Sequence, residues 1–150
     1  MMGLRTLRPA VWVAVMLFLR AASAMTVKDT PFTGSFGGSS GRVCSGGIHI
    51  RAKTLEWIST YRICKPSPYE VLERDASGRF PRIVFRIRNR SRQCDLEVFE
   101  LAQADPRIGQ WEASAYPSME AYVKRDQPGW IDSQAPERQA LSCMMFDMNR

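Results

Sequence analysis

A single histidine, His49, bounds the acid–base chemistry that this sequence can support. Histidine is the commonest general base and the usual partner of a nucleophile. A hydrolytic triad here must use His49 or do without. His49 lies in the alternating run Ile48-His49-Ile50-Arg51, which reads as one strand with the isoleucines facing inward. That puts His49 on the solvent face, opposite Glu56, and no G-x-S-x-G elbow supplies a nucleophile. Asp95, Glu97 and Glu100 could be drawn into carboxylate pairs, yet they share or oppose strands carrying several arginines. Surface charge pairing accounts for them without catalysis. The glycine-rich stretch from Gly34 to Gly47 lacks the Lys-Ser/Thr ending of a phosphate-binding loop and reads as a flexible loop. No residue set points to a catalytic centre, a metal or a cofactor.

The four cysteines, Cys44, Cys64, Cys94 and Cys143, are more informative. Their intervals are long and no C-x-x-C occurs, whereas structural zinc ligands are normally closely paired. An even count in an exported chain reads as two disulfides. A second set is a row of arginines, Arg82, Arg86, Arg88, Arg90 and Arg92, on one parity of a strand and its turn, with Val84 the gap. Guanidinium forks match phosphates and carboxylates, so this row is a candidate contact for an acidic protein or an anionic surface. The competing reading is a charged strand exterior that discourages edge pairing. No exposed aromatic ladder accompanies it, which disfavours single-stranded nucleic acid. A third set is aromatic: Trp57, Tyr61, Tyr69 and Phe85 fall on inward positions, where they fill a core or line a cavity for a small apolar ligand.

The elements that must position these residues are strands. Period-two alternation recurs from about Cys44 to Leu101, broken by Ala52-Lys53, Pro66-Ser67-Pro68, Asp75-Ala76-Ser77-Gly78 and Asn89 to Arg92. A turn at Ala52-Lys53 sets Ile50 opposite Leu55, Ile48 opposite Trp57 and His49 opposite Glu56. A turn with Arg90-Ser91 at its tip sets Ile87 opposite Cys94, Phe85 opposite Leu96, Ile83 opposite Val98 and Arg86 opposite Asp95. Five antiparallel strands follow from this phasing, preceded by a short strand at 32–36. Trp111 to Tyr116 and Leu141 to Met148 add two more. Ser118 to Arg125 is either a short helix capped by Ser118 or a further strand, with the balance towards strand. The whole is an all-β antiparallel meander that closes into a small up-and-down barrel, since an open sheet leaves two edges exposed. In this map Cys44 starts one strand, Cys64 ends the next and Cys94 starts a later one, all at the same end. The favoured pairing is Cys44–Cys64 with Cys94–Cys143; the rival is Cys44–Cys143 with Cys64–Cys94.

Residues 1–24 read as a secretory leader: three arginines without an acid, the apolar run Ala10 to Leu19, then Ala22-Ser23-Ala24. The run is shorter than the roughly 20 apolar residues of a spanning helix. Residues 25–150 form a single domain with no transmembrane segment. Loss of the three leader arginines lowers the formal charge from +6 to +3, which weakens any case for nucleic acid. The expected location is the periplasm of a Gram-negative bacterium, or otherwise the secreted fraction.

In outline such a barrel resembles lipocalins and avidins. Over six residues, Ala76-Ser77-Gly78-Arg79-Phe80-Pro81, the chain also resembles the Ser-Gly-x-x-Tyr loop of periplasmic lysozyme-inhibitor families, with Pro81 where those have Tyr. That resemblance implies Ser77 as a contact residue and a cationic hydrolase such as lysozyme as partner. The leading expectation is a non-enzymatic binding protein that recognises another protein through turns, either Ser77 to Arg79 or the Asn89 to Arg92 tip. The alternative is a carrier of a small apolar ligand, and the third reading is the hydrolase inhibitor.

Overall fold

The computed structural model describes residues 31–38, 43–130 and 141–149; the leader at 1–24 and part of the irregular stretch after Gln127 lie outside them. Eight strands form a closed antiparallel barrel in which each pairs with its neighbour in sequence and the last pairs with the first. They are β1 (Gly34–Gly38), β2 (Gly46–Ile50), β3 (Thr54–Ser59), β4 (Ile63–Asp75), β5 (Arg82–Ile87), β6 (Val98–Asp105), β7 (Gln110–Tyr116) and β8 (Leu141–Asp147). One helix, α1 (Met119–Lys124), follows β7. The expected meander barrel is therefore present.

The glycine-rich stretch is not the expected loop: it supplies β1 and the start of β2. Gly37 pairs with Gly47, and a Cβ at Gly47 would lie 2.7 Å from the Phe36 carbonyl oxygen. Absent side chains let two backbones approach closely, and the ladder forms where composition alone suggests flexibility. The β2–β3 hairpin has the register read from its sequence, with Ile50 opposite Leu55, Ile48 opposite Trp57 and His49 opposite Glu56. Chain reversal after β3 falls at Ser59 to Arg62, where the Ser59 amide donates to the Arg62 carbonyl at 2.9 Å. Cys64 thus begins β4 rather than ending β3. β4 runs straight through Pro66-Ser67-Pro68, a segment expected to turn. A bulge places Lys65 and Pro66 opposite Glu56 alone, which accommodates a residue without an N–H.

The β5–β6 pairing differs from the expected register. Ile83 faces Leu101, Phe85 faces Phe99 and Arg86 faces Val98. Cys94 and Leu96 are buried in the barrel core, but they precede β6 and the inward phase changes before Phe99. Val98 points outward, as does Val84, and both are buried under α1 with Tyr116 and Tyr122. The segment expected to lean towards strand is this helix: Ser118 is its N-cap, its side chain accepting from the Ala121 amide at 3.1 Å. The molecule therefore has a barrel interior and a smaller apolar layer between barrel and helix.

Candidate functional site

Antiparallel order sends alternate connections to opposite ends of the barrel. The loops β1–β2, β3–β4, β5–β6 and β7–β8 share one end with all four cysteines. The turns β2–β3, β4–β5 and β6–β7 share the other, where β1 starts and β8 finishes. Cys44 bonds Cys143 and Cys64 bonds Cys94, which corrects the favoured pairing and is the rival one. The misplaced turn after β3 explains the error. With Cys64 at the start of β4, the 88–97 loop crosses directly over it, while Cys44 faces β8 across the barrel seam.

At the stapled end the 88–97 loop is held at several points. The Ser91 hydroxyl donates to the Ile63 carbonyl at 3.1 Å, and the Ile63 amide donates to the Gln93 carbonyl at 3.3 Å. Arg62 Nε donates to Asp95 Oδ1 at 2.8 Å, and Arg90 donates to the Pro117 carbonyl at 3.0 Å. Ser45 and Thr60 hydrogen-bond through their hydroxyls, tying the β1–β2 loop to the β3–β4 turn. Between these fixed loops lies a groove of about 490 Å³ walled by Val43, Tyr61, Arg62, Arg92, Gln93 and Asp95. Tyr61 is 65% exposed and Val43 47%. Exposed Ile58 and Ile63, paired across β3 and β4, continue the apolar surface. Among the described residues the Arg92 guanidinium has no bonded partner at this groove. Smaller grooves lie beside α1, at about 360 Å³, and along Tyr69 and Arg88, at about 350 Å³.

The arginine row is split by its surroundings. Arg82 is half-buried. It donates to Glu100, to Glu73 at 2.6 Å and to the Tyr122 hydroxyl at 2.8 Å. Burial opposes its charge, but the bonds it donates to Glu100 and Glu73 outweigh that and raise its pKa. Arg86 donates to Glu97 at 2.8 Å rather than to Asp95, and Arg88 engages Glu70. Arg90 and Arg92 lie farther along the 88–97 loop, at the stapled end. Ser77 and Arg79 are at the opposite end, so the two expected contact turns cannot share one surface. The Asp75 carboxylate accepts from the Ser77 amide and hydroxyl, both at 3.0 Å, which holds its pKa below the usual range. Arg79 lies over the Phe80 ring.

The aromatic set divides too. Trp57 and Phe85 are fully buried. Tyr69 is half-buried, its ring edge-on to Phe85 at 4.8 Å and its hydroxyl donating to the Arg51 carbonyl. Tyr61, by contrast, has left the strand for the turn and points outward. Phe99 packs on Trp57, while Phe32 and Phe36 pack on Trp111. Side chains thus occupy the barrel interior. His49 is half-buried on the outer face and hydrogen-bonds through Nδ1 to the Ser35 hydroxyl at 2.8 Å.

Fold and site together define a small up-and-down β-barrel with a packed interior and one end fixed by two disulfides. No protein-family model, curated protein sequence or solved structure matches the chain. The stapled groove was not legible in advance. In the sequence Tyr61-Arg62 reads as part of a strand, and the structure places it in the β3–β4 turn instead.

Proposed function

We propose that this chain is an exported, non-enzymatic recognition protein that binds another protein at its disulfide-stapled end. The observation that carries this reading is the groove whose walls are fixed on both sides, with Tyr61 and Val43 presented to solvent. Loops already held in place lose little freedom on association, and the saved ordering cost appears as affinity. Tyrosine is enriched among residues that dominate binding energy. Arg92, with no bonded partner among the described residues, suits a carboxylate on the approaching protein. Export is supported by the two disulfides, which persist in oxidising compartments. The packed interior favours this reading over a carrier, and engagement of Ser77 by Asp75 favours it over contact through that turn.

A photo-crosslinking residue at position 61, used in the native host, should capture a protein partner. Tyr61→Ala should then weaken binding to that partner at least tenfold, while Val123→Ser on the exposed side of α1 leaves it unchanged. A small apolar molecule retained in native mass spectra, with no crosslinked protein, would overturn the proposal in favour of a carrier.

A further inference from the structure

The end of the barrel opposite the cysteines carries a second surface of different character. Three apolar side chains are exposed there: Phe80 in the β4–β5 turn and Ile108 in the β6–β7 turn at its tips, and Met148 just beyond β8, whose side chain lies along the barrel wall over Gly37. They are 49%, 60% and 67% exposed. The corners are contiguous. The Asp147 amide donates to the Gly109 carbonyl at 3.2 Å, which sets the end of β8 beside the β6–β7 turn. The Gln103 amide donates to the Pro81 carbonyl at 2.9 Å, which sets the β4–β5 turn on its other side.

The charge around these tips is mainly basic. Arg51, Lys53, Arg74, Arg79 and Arg107 are all exposed. Among the described residues, the acids at the strand ends and turns here are Asp75, Asp105 and Asp147. Asp75 is occupied by Ser77 and Gly78, Asp105 by Arg107 and Asp147 by Asn149. Arg51, Lys53 and Arg74 form no ion pair among the described residues. This is a more available cationic surface than the arginine row, whose first three members are engaged by carboxylates.

We infer that this end docks on an anionic phospholipid surface, with Phe80 and Ile108 entering the interface and the arginines and lysine meeting the headgroups. Separate apolar tips on different turns suit a bilayer, which receives each independently. A protein partner would need a matching pocket for every one. Neither tip walls the grooves described above. Interfacial binding combines apolar insertion with attraction of basic side chains to anionic lipid, and each basic residue near such a surface adds to the attraction. The inference is independent of the stapled groove, and both surfaces could be occupied together.

The test is sedimentation of the purified chain with phosphatidylglycerol–phosphatidylcholine vesicles and with phosphatidylcholine alone. Binding should require the anionic lipid and should fall as salt is raised. The double variant Phe80→Ser, Ile108→Ser should lower the partition coefficient at least tenfold with an unchanged far-ultraviolet spectrum. A Phe80→Trp variant should be quenched by brominated lipid beyond the wild-type level. Equal binding to both vesicles would overturn the inference, as would undiminished binding of the double variant. Binding without quenching of Phe80→Trp would also overturn it and leave a purely electrostatic contact, such as an acidic protein would make.

Discussion

Arg82 stands between the strand that carries it and the helix laid over it, with Glu73, Glu100 and the Tyr122 hydroxyl within reach. Removing it would leave Glu100 half-buried without its cation. Breaking a fully buried pair costs roughly 3–5 kcal/mol. The Arg82 side chain keeps 30% of its exposure, so Arg82→Ala should cost about 2 kcal/mol in urea denaturation after discounting for solvent screening. Arg88, in an exposed pair with Glu70, should change the urea midpoint far less when replaced by Ala. The same cluster sets the pH response. Hydrogen bonds from Arg82 and then Tyr122 hold the Glu73 carboxyl below its ordinary 4.5. Its contribution is therefore complete above that value and is lost as pH falls through the lower folded value. On the alkaline side, burial first and then the Glu100 charge push Tyr116 up to about 12. Stability from Tyr116 is complete below pH 10 and is lost as pH rises towards and through 12. Melting temperature measured against pH should fall on both limbs. Glu73→Gln should flatten the acid limb alone, and an unaltered acid limb would exclude Glu73 as its source.

Among the elements, α1 is both the least legible and the easiest to release. Its only strong sequence mark is Ser118, and replacing that cap by Ala should cost about 1 kcal/mol. Near-ultraviolet dichroism should lose part of the tyrosine signal from the edge-on pair Tyr116 and Tyr122. The helix also explains why the β5–β6 register was misread. Val84 and Val98 look like inward residues because they are apolar, yet they point outward and are buried by α1. The adjacent Val98-Phe99, buried on opposite faces, and the gap at Val84 in the arginine row were the available signs of a covering element. The β2–β3 hairpin was readable because its outer face is polar and its inner face apolar, so one register satisfies both. The short strand expected at 32–36 overlaps β1, but its Gly37-Gly38 end and its pairing were unreadable because glycines carry no facing information. Gly46 has φ of +105° and its Cβ would run into the Ile58 carbonyl oxygen. Gly46→Ala should therefore lose at least about 1–3 kcal/mol through backbone strain, read as a lowered urea midpoint.

At the scale of the molecule, closure rests on the seam between β1 and β8, where among the described residues the ladder pairs Phe36 with Asp147, Gly37 with Phe146 and Gly38 with Met145. Cys44–Cys143 crosses beside that seam and closes 99 residues; Cys64–Cys94 closes 30 within the middle of the sheet. On the loop-entropy account the two bridges contribute roughly 4.7 and 3.7 kcal/mol. Their locations separate them further. Without Cys44–Cys143 the short seam must hold by hydrogen bonds and by Phe36 on Trp111. Without Cys64–Cys94 the sheet between β3 and β6 still has its full ladders. The double variant Cys44→Ser, Cys143→Ser should therefore be the less stable of the two. Its amide exchange should quicken first in β1 and β8, with β3 to β6 still protected. The variant lacking Cys64–Cys94 should instead loosen the 88–97 loop and, with it, the groove beside Tyr61. Partner binding should weaken in this second variant even where the barrel stays closed. Equal exchange in all eight strands of the first variant would show that the barrel opens as one unit and that the seam has no stability of its own.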